Sequence, residues 1–230
     1  MATHTQSLPQ GKVLRYRIGP RINHALLASS FLILLITGLI LLWSPLSPLA
    51  AGGASRLLHR VGAVLFMAVP ILYVVVDRKA AKELLWDSFH YDKDDWAWAK
   101  QVYRYFMGHT KDMPPQGRLN AGQKLHHAGV VLMSALVVAS GLVMWFGKGT
   151  LGANGLASAA MVHDVSMLVL TVLLVGHLYF TFVYKALSGM TTGYVPLEEA
   201  QLEHSKWVAE LQGEEMQPLG SEKDAVMGAK

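Results

Sequence analysis

Cysteine is absent from all 230 residues, and only 16% of the chain is charged. The first absence excludes disulfides, thiolate metal ligands, iron–sulfur clusters held by this chain and thioether attachment of a cofactor. The second leaves too little polar surface for an ordinary soluble domain, of which about a quarter is charged. Hydrophobic residues instead make up 52%. The net charge of +4 would suit nucleic acid, but the basic residues cluster beside apolar runs, where a membrane surface accounts for them. No nucleic-acid partner is expected.

What the chain does have is four long apolar segments. Ala25 to Trp43 carries no charge, Leu57 to Val76 only Arg60, with Pro70 inside, and Ala128 to Phe146 none. The fourth runs from about Leu156 to Tyr184 with Asp164 as its one formal charge. Each is long enough for the roughly 20 residues that cross a hydrocarbon core of about 30 Å. The expected architecture is an all-α membrane protein with a four-helix bundle over residues 22–185, helices at about 22–44, 56–77, 122–147 and 155–185. A segment 1–21 precedes it and a tail 186–230 follows. Ser47 to Gly52 resembles a signal-peptidase site, but the apolar run before it exceeds the roughly 7–15 residues of a signal core. It reads as a retained anchor.

Orientation follows from lysine and arginine. Lys12, Arg15, Arg17 and Arg21 precede the first helix, nine basic residues from Arg78 to Lys124 separate the second from the third, and Lys185, Lys206, Lys223 and Lys230 follow the fourth. The other two loops hold only Arg56 and Arg60, and Lys148. Both termini and the long middle loop are therefore expected in the cytoplasm. In that loop Asp92 to Gly108 reads as one amphipathic helix, with Trp96, Trp98, Tyr103 and Phe106 suited to an interface. Leu197 to Gln212 reads as another, and the chain from about Glu214 as disordered.

The first helix pair echoes the second. Thr37-Gly38-Leu39-Ile40 matches Ser140-Gly141-Leu142-Val143, and Leu58-His59-Arg60-Val61 matches Val162-His163-Asp164-Val165. His24 precedes Gly38 by fourteen residues, as His127 precedes Gly141.

His163 and His177 carry the chemistry. Fourteen residues of α-helix make almost four turns, so both imidazoles leave nearly one face, about 21 Å apart. Ionisable side chains at two depths in a membrane mark a functional site. With the termini inside, His59 and His163 share the outer depth, and His24 and His177 the inner one. Each pair offers two axial nitrogens to one iron, and haem is the guest whose broad apolar ring fills space between helices. Gly38 and Gly62 would let an outer porphyrin approach closely, or else Gly38 and Gly141 simply let helices pack. Arg56, Arg60 and Arg21 are placed for propionates or as interfacial anchors. Zinc or proton transport competes, since neutral imidazole serves both, although Asp164 is the only carboxylate within the spans. His127 competes with His24 as partner of His177, while His4, His90, His109 and His204 lie in polar segments and are expected to be solvated.

Arg21-Ile22-Asn23-His24, Arg56-Leu57-Leu58-His59, Asn120-Ala121-Gly122-Gln123-Lys124 and the His163/His177 helix resemble the cytochrome b (gamma) subunit of membrane-bound formate dehydrogenases over about residues 15 to 195. The resemblance implies two b haems, the inner one on His24 and His177 and the outer on His59 and His163. It implies a quinone site beside the inner haem at Asn120, Gly122, Gln123 and His177. Amide donors suit quinone carbonyls and glycine permits close approach. The same segment also reads as a turn capping the third helix. His126, His127 and Asp164 depart from the family pattern, and none of these is a ligand.

The resemblance further implies partners in the bacterial cytoplasmic (inner) membrane. A molybdenum or tungsten (alpha) subunit oxidises formate outside, an iron–sulfur (beta) subunit passes electrons to the outer haem, and quinone takes them at the inner one with cytoplasmic protons. Such proton uptake contributes to a proton-motive force, and the family suggests trimers of the three-subunit unit. Rival readings are the same module serving a hydrogenase or thiosulfate reductase, and a haem-free anchor or metal or proton transporter.

Overall fold

The computed structural model describes residues 11–109, 111–184 and 186–213. His4, Lys185 and the tail from Glu214 lie outside the described residues. Along the chain run β1 (Lys12–Leu14), α1 (Ile18–Leu42), a 3-10 turn at Ser44–Leu46, α2 (Ser47–Ala50), α3 (Ala54–Val76), α4 (Arg78–Phe89), α5 (Lys93–Lys100) and α6 (Val102–Phe106). Then come α7 (Ala121–Phe146), α8 (Ala153–Val183), α9 (Leu187–Thr191), β2 (Tyr194–Pro196), α10 (Leu197–Glu203) and α11 (Ser205–Gln212). β1 pairs with β2. The residues divide into two compact units.

The larger unit, Leu14–Phe89 with Leu125–Val195, holds most of the four apolar helices. α1, α3, α7 and α8 are each long and apolar enough to cross a membrane. α8 has 31 residues and so extends about 46 Å, beyond the hydrocarbon thickness. α1 ends where Ser44-Pro45 begins a tighter turn, and α3 starts after Gly53, whose φ of +77° suits glycine. α3 continues through Pro70. Without water in the bilayer, in-helix hydroxyls bond to their own backbone. Ser29 donates to the Ala25 carbonyl (2.8 Å) and Thr171 to that of Met167 (2.8 Å). Large apolar side chains such as Ile36, Val75, Leu168 and Phe182 point outward, as lipid contact requires.

The smaller unit comprises the described residues of Met1–Val13, His90–Lys124 and Pro196–Lys230. Its core is Trp98 against Tyr105 (ring centres 5.0 Å apart), with Leu119, Trp207 and Val208 also buried. Asp92 caps α5 in a reciprocal box with Asp95. Lys206 reaches Asp92 Oδ2 at 2.8 Å and Asp94 Oδ2 at 2.5 Å, and Lys124 donates to Asp95 Oδ2 at 2.6 Å. Burial opposes ionisation of Asp92, but the hydrogen bond from Lys206 and those from the Asp95 and Asp94 amides prevail and hold its carboxyl at about 2.

The structure corrects several expectations. Asp92 to Gly108 is two helices, α5 and α6, broken at Gln101, and Leu197 to Gln212 is also two, broken at His204. Trp98 is core, whereas Trp96, Tyr103 and Phe106 are exposed. His204 is buried rather than solvated, and its Nδ1–H donates to the Gly117 carbonyl at 2.9 Å. α4 has no counterpart among the expected elements. His90 and His109 are exposed, as expected.

Candidate functional site

The larger unit brings its membrane histidines together in pairs. His59 on α3 faces His163 on α8 with ring centres 6.4 Å apart. His24 on α1 faces His177 on the same α8 with ring centres 6.0 Å apart. Bonds from a first-row metal to imidazole nitrogen are about 2 Å, so an iron held between two imidazoles sets ring centres on the order of 6 Å apart. Both pairs fit that requirement. Among the described residues no group of three or more His, Cys, Asp or Glu side chains is arranged to hold a metal ion. A two-nitrogen site suits a metal whose remaining ligands come with it, as a porphyrin supplies them.

The His59–His163 pair is oriented from behind by the two echoed segments. His59 Nδ1 lies 2.9 Å from Thr37 Oγ1, and a backbone hydrogen bond ties the ring to Leu34. His163 Nδ1 lies 2.9 Å from the Val137 carbonyl and 3.3 Å from Ser140 Oγ. Gly38 and Gly141, next in sequence to the two hydroxyls, clear space for the rings. A Cβ at Gly38 would lie 3.5 Å from His59 Cε1, and one at Gly141 3.2 Å from His163 Cε1. Gly62 does something else. A Cβ there would meet Ile33 Cγ2 at 3.1 Å and Leu34 Cγ at 3.3 Å, so this glycine lets α1 and α3 pack.

The arginines divide. Arg60 stands beside His59 with its guanidinium carbon 5.4 Å from the centre of the Trp145 ring, and Arg56 is exposed. Arg21 is committed to α9, donating from Nε to the Met190 carbonyl (2.8 Å) and from Nη2 to that of Thr191. It therefore ties α1 to α9. Asp164 is exposed.

Sequence reasoning missed His126 as a neighbour of the second pair. Its ring lies 5.4 Å from that of His177 and within 15° of parallel, so His177 faces His24 and His126 together. The double histidine is visible in the sequence, but only the rotation of α7 decides which of the two points at α8.

Asn120 and Gln123 form the N-terminal cap of α7. The Gln123 amide donates to Asn120 Oδ1 at 2.9 Å, and the Asn120 amide donates to Gln123 Oε1 at 3.2 Å. Asn120 is buried, and it also hydrogen-bonds the Glu203 carboxyl. Burial raises the pKa of Glu203, and the hydrogen bond from Tyr105 (2.9 Å) opposes that rise. Gly122 sits under Trp98, whose Cη2 a Cβ would approach to 3.1 Å. The cap occupies Gln123 Oε1 and leaves its Nε2 without a hydrogen bond among the described residues.

Comparison with known proteins finds similarity to formate dehydrogenase cytochrome b556 subunits. The chain is 25% identical over 207 residues to the formate dehydrogenase cytochrome b556 subunit of Haemophilus influenzae, covering 86% of this chain and 83% of that one. It is 25% identical over 207 residues to the formate dehydrogenase cytochrome b556(fdo) subunit of Escherichia coli K12, covering 86% and 93%. The nitrate-inducible formate dehydrogenase cytochrome b556(Fdn) subunit of the same organism is 23% identical over 124 residues, covering 53% and 57%. The family model described as prokaryotic cytochrome b561 matches residues 15–193, which include every paired histidine, and the chain belongs to that family of haem-binding membrane helical bundles.

Proposed function

We propose that this chain is the dihaem membrane subunit of a respiratory formate dehydrogenase, carrying electrons across the bacterial cytoplasmic membrane to quinone. His59 and His163 hold one haem b, and His24 and His177 hold the second. The observation that carries this reading is the pair of facing imidazole couples at 6.4 and 6.0 Å, both built on α8. The similarity to formate dehydrogenase cytochrome b556 subunits over most of the chain supports the choice of complex.

When bound, each haem supplies reversible one-electron iron chemistry. The chain supplies the rest. The histidines fix each iron between helices, and the apolar walls of α1, α3, α7 and α8 keep water and protons from the path. The basic segments would place both termini in the cytoplasm, so a haem held by His59 and His163 would lie toward the outer face and one held by His24 and His177 toward the inner, each supplying one-electron chemistry at its own depth. Asn120 holds the cap that positions Gln123, whose Nε2–H would donate to a quinone carbonyl, and Gly122 leaves room for Trp98 beside that cap. Formate oxidation belongs to a molybdenum or tungsten subunit, and an iron–sulfur subunit bridges it to this chain. Trimers of that heterotrimer would cover part of the outward apolar surface, and lipid the rest.

Purification of the intact complex tests the proposal. Two low-spin b haems per chain, an iron–sulfur partner and formate-driven quinone reduction are expected. A chain without haem overturns the cytochrome arrangement. Haem with a hydrogenase or thiosulfate reductase as partner overturns the formate assignment alone.

A further inference from the structure

The two haem-ligand pairs are not supported alike. Behind His59 and His163 stand the hydroxyls of Thr37 and Ser140, both buried. Each hydroxyl proton is already used within its own helix: Thr37 donates to the Ile33 carbonyl at 2.6 Å, and Ser140 to the Leu136 carbonyl at 2.7 Å. What each oxygen presents to the histidine is therefore a lone pair, so Nδ1 must be the donor. The Val137 carbonyl, 2.9 Å from His163 Nδ1, can only accept and fixes the same proton. Both rings are thus held as Nδ1–H tautomers with the Nε2 lone pair aimed away from the supporting helix. Neither His24 nor His177 has a side-chain hydrogen bond among the described residues.

We propose that Thr37 and Ser140, with the backbone carbonyls beside them, are positioning residues that fix tautomer and ring angle at the His59–His163 pair and lower the reduction potential of its haem relative to the other. The proposal rests on haem ligation by these pairs. A hydrogen bond accepted from Nδ1–H pushes electron density onto Nε2 and makes the imidazole a stronger donor, which favours the oxidised iron. No proton leaves either ring and no bond changes. A lower potential at the clamped pair would favour electron transfer from its haem to the other. The internal echo agrees: hydroxyl, following glycine and carbonyl recur in the same order on α1 and α7, the first set facing His59 on α3 and the second His163 on α8.

In-helix back-bonding alone would explain a Thr or Ser in a membrane span. It does not require the oxygen to face a histidine twice, with a glycine beside it each time.

The test is a potentiometric titration of the purified complex, followed optically and by low-temperature EPR, for Thr37→Val, Ser140→Ala and the double variant. His24→Ala provides a background that retains the clamped haem alone, which assigns its potential. The expected result is full haem content and a rise in potential confined to the His59–His163 haem. Thr37→Val should shift it more than Ser140→Ala, because the Thr37 oxygen is 2.9 Å from its ring and the Ser140 oxygen 3.3 Å. The EPR g-values of that haem should move as its ring angles relax, and Thr37→Ser should restore both signatures. Unchanged potentials in the haem-replete double variant, or equal shifts of both haems, overturn the proposal and leave the ligand assignment standing. If Thr37→Val fails to assemble, Ser140→Ala carries the comparison against wild type and the hydroxyl-retaining Thr37→Ser, with a smaller rise confined to the same haem expected and no rise overturning the proposal. A wild-type complex with no haem on this chain overturns ligation and clamp together.

Discussion

Gly141 and the His163 ring leave almost no room between them: a Cβ at position 141 would lie 3.2 Å from Cε1 and 3.4 Å from Nδ1. At Gly38 the corresponding contact with His59 Cε1 is 3.5 Å, ordinary van der Waals distance. Gly38→Ala should therefore be tolerated, whereas Gly141→Ala shifts its ring by a few tenths of an ångström. Leucine at either position displaces the ring. Gly38→Leu and Gly141→Leu are expected to halve the haem per chain, losing the His59–His163 haem and keeping the other. Retention of both haems, or loss of both together, contradicts this.

Gly62 makes a different prediction, because its neighbours are Ile33 and Leu34 rather than a histidine. Gly62→Leu overpacks the contact between α1 and α3, a change that typically costs about 1–3 kcal/mol. Thermal unfolding in detergent should fall accordingly, without selective loss of one haem. Selective loss would mean that this glycine borders the cofactor.

In the smaller unit, stability should depend on acid. The Asp92 carboxyl is held at about 2, below its ordinary 3.8, where burial opposes and the Lys206 hydrogen bond favours the charged form. The folded group therefore binds its proton less readily than the unfolded one. Its stabilisation is complete above the unfolded value and is lost as pH falls through about 2. Lys206 also faces Asp94, and partly exposed pairs of this kind contribute about 0.2–1 kcal/mol each. Protection factors for hydrogen exchange across α5 and α11 should fall between about pH 4 and 2, and Asp92→Asn should flatten that window. An unchanged acid transition in the Asp92→Asn variant would show that other carboxylates set it.

Gln123 separates capping from quinone contact. Gln123→Glu keeps an oxygen for the Asn120 amide but removes the Nε2–H donor. The KM for quinone should rise several-fold while haem spectra stay unchanged. Asn120→Ala removes the cap and should cost about 1 kcal/mol of helix stability. An unchanged KM in Gln123→Glu would remove this residue from the quinone site.

The spans were legible in the sequence because the bilayer imposes length and hydropathy on each segment separately. The His163/His177 spacing was legible because helix geometry alone fixes which residues share a face. Where tertiary packing decides, sequence fails. Trp98 and Trp96 are two residues apart with similar character, yet one is core and the other exposed. His204 looks like any histidine in a polar helix, and the Gly117 carbonyl that accepts its Nδ1–H is brought to it only by tertiary packing. Gly62 and Gly38 read alike until α1 places leucine and isoleucine beside one and α3 a histidine beside the other. The Thr37-Gly38 and Ser140-Gly141 echo is visible as repetition, but its meaning needs the facing rings.

The most direct measurement is haem stoichiometry in four single variants of the intact complex, His24→Ala, His59→Ala, His163→Ala and His177→Ala. His59→Ala and His163→Ala should lose the same haem, identified by one potential and one EPR signature, and His24→Ala and His177→Ala should lose the other. Both haems surviving in any one of the four, or a loss that pairs His59 with His24, contradicts the account.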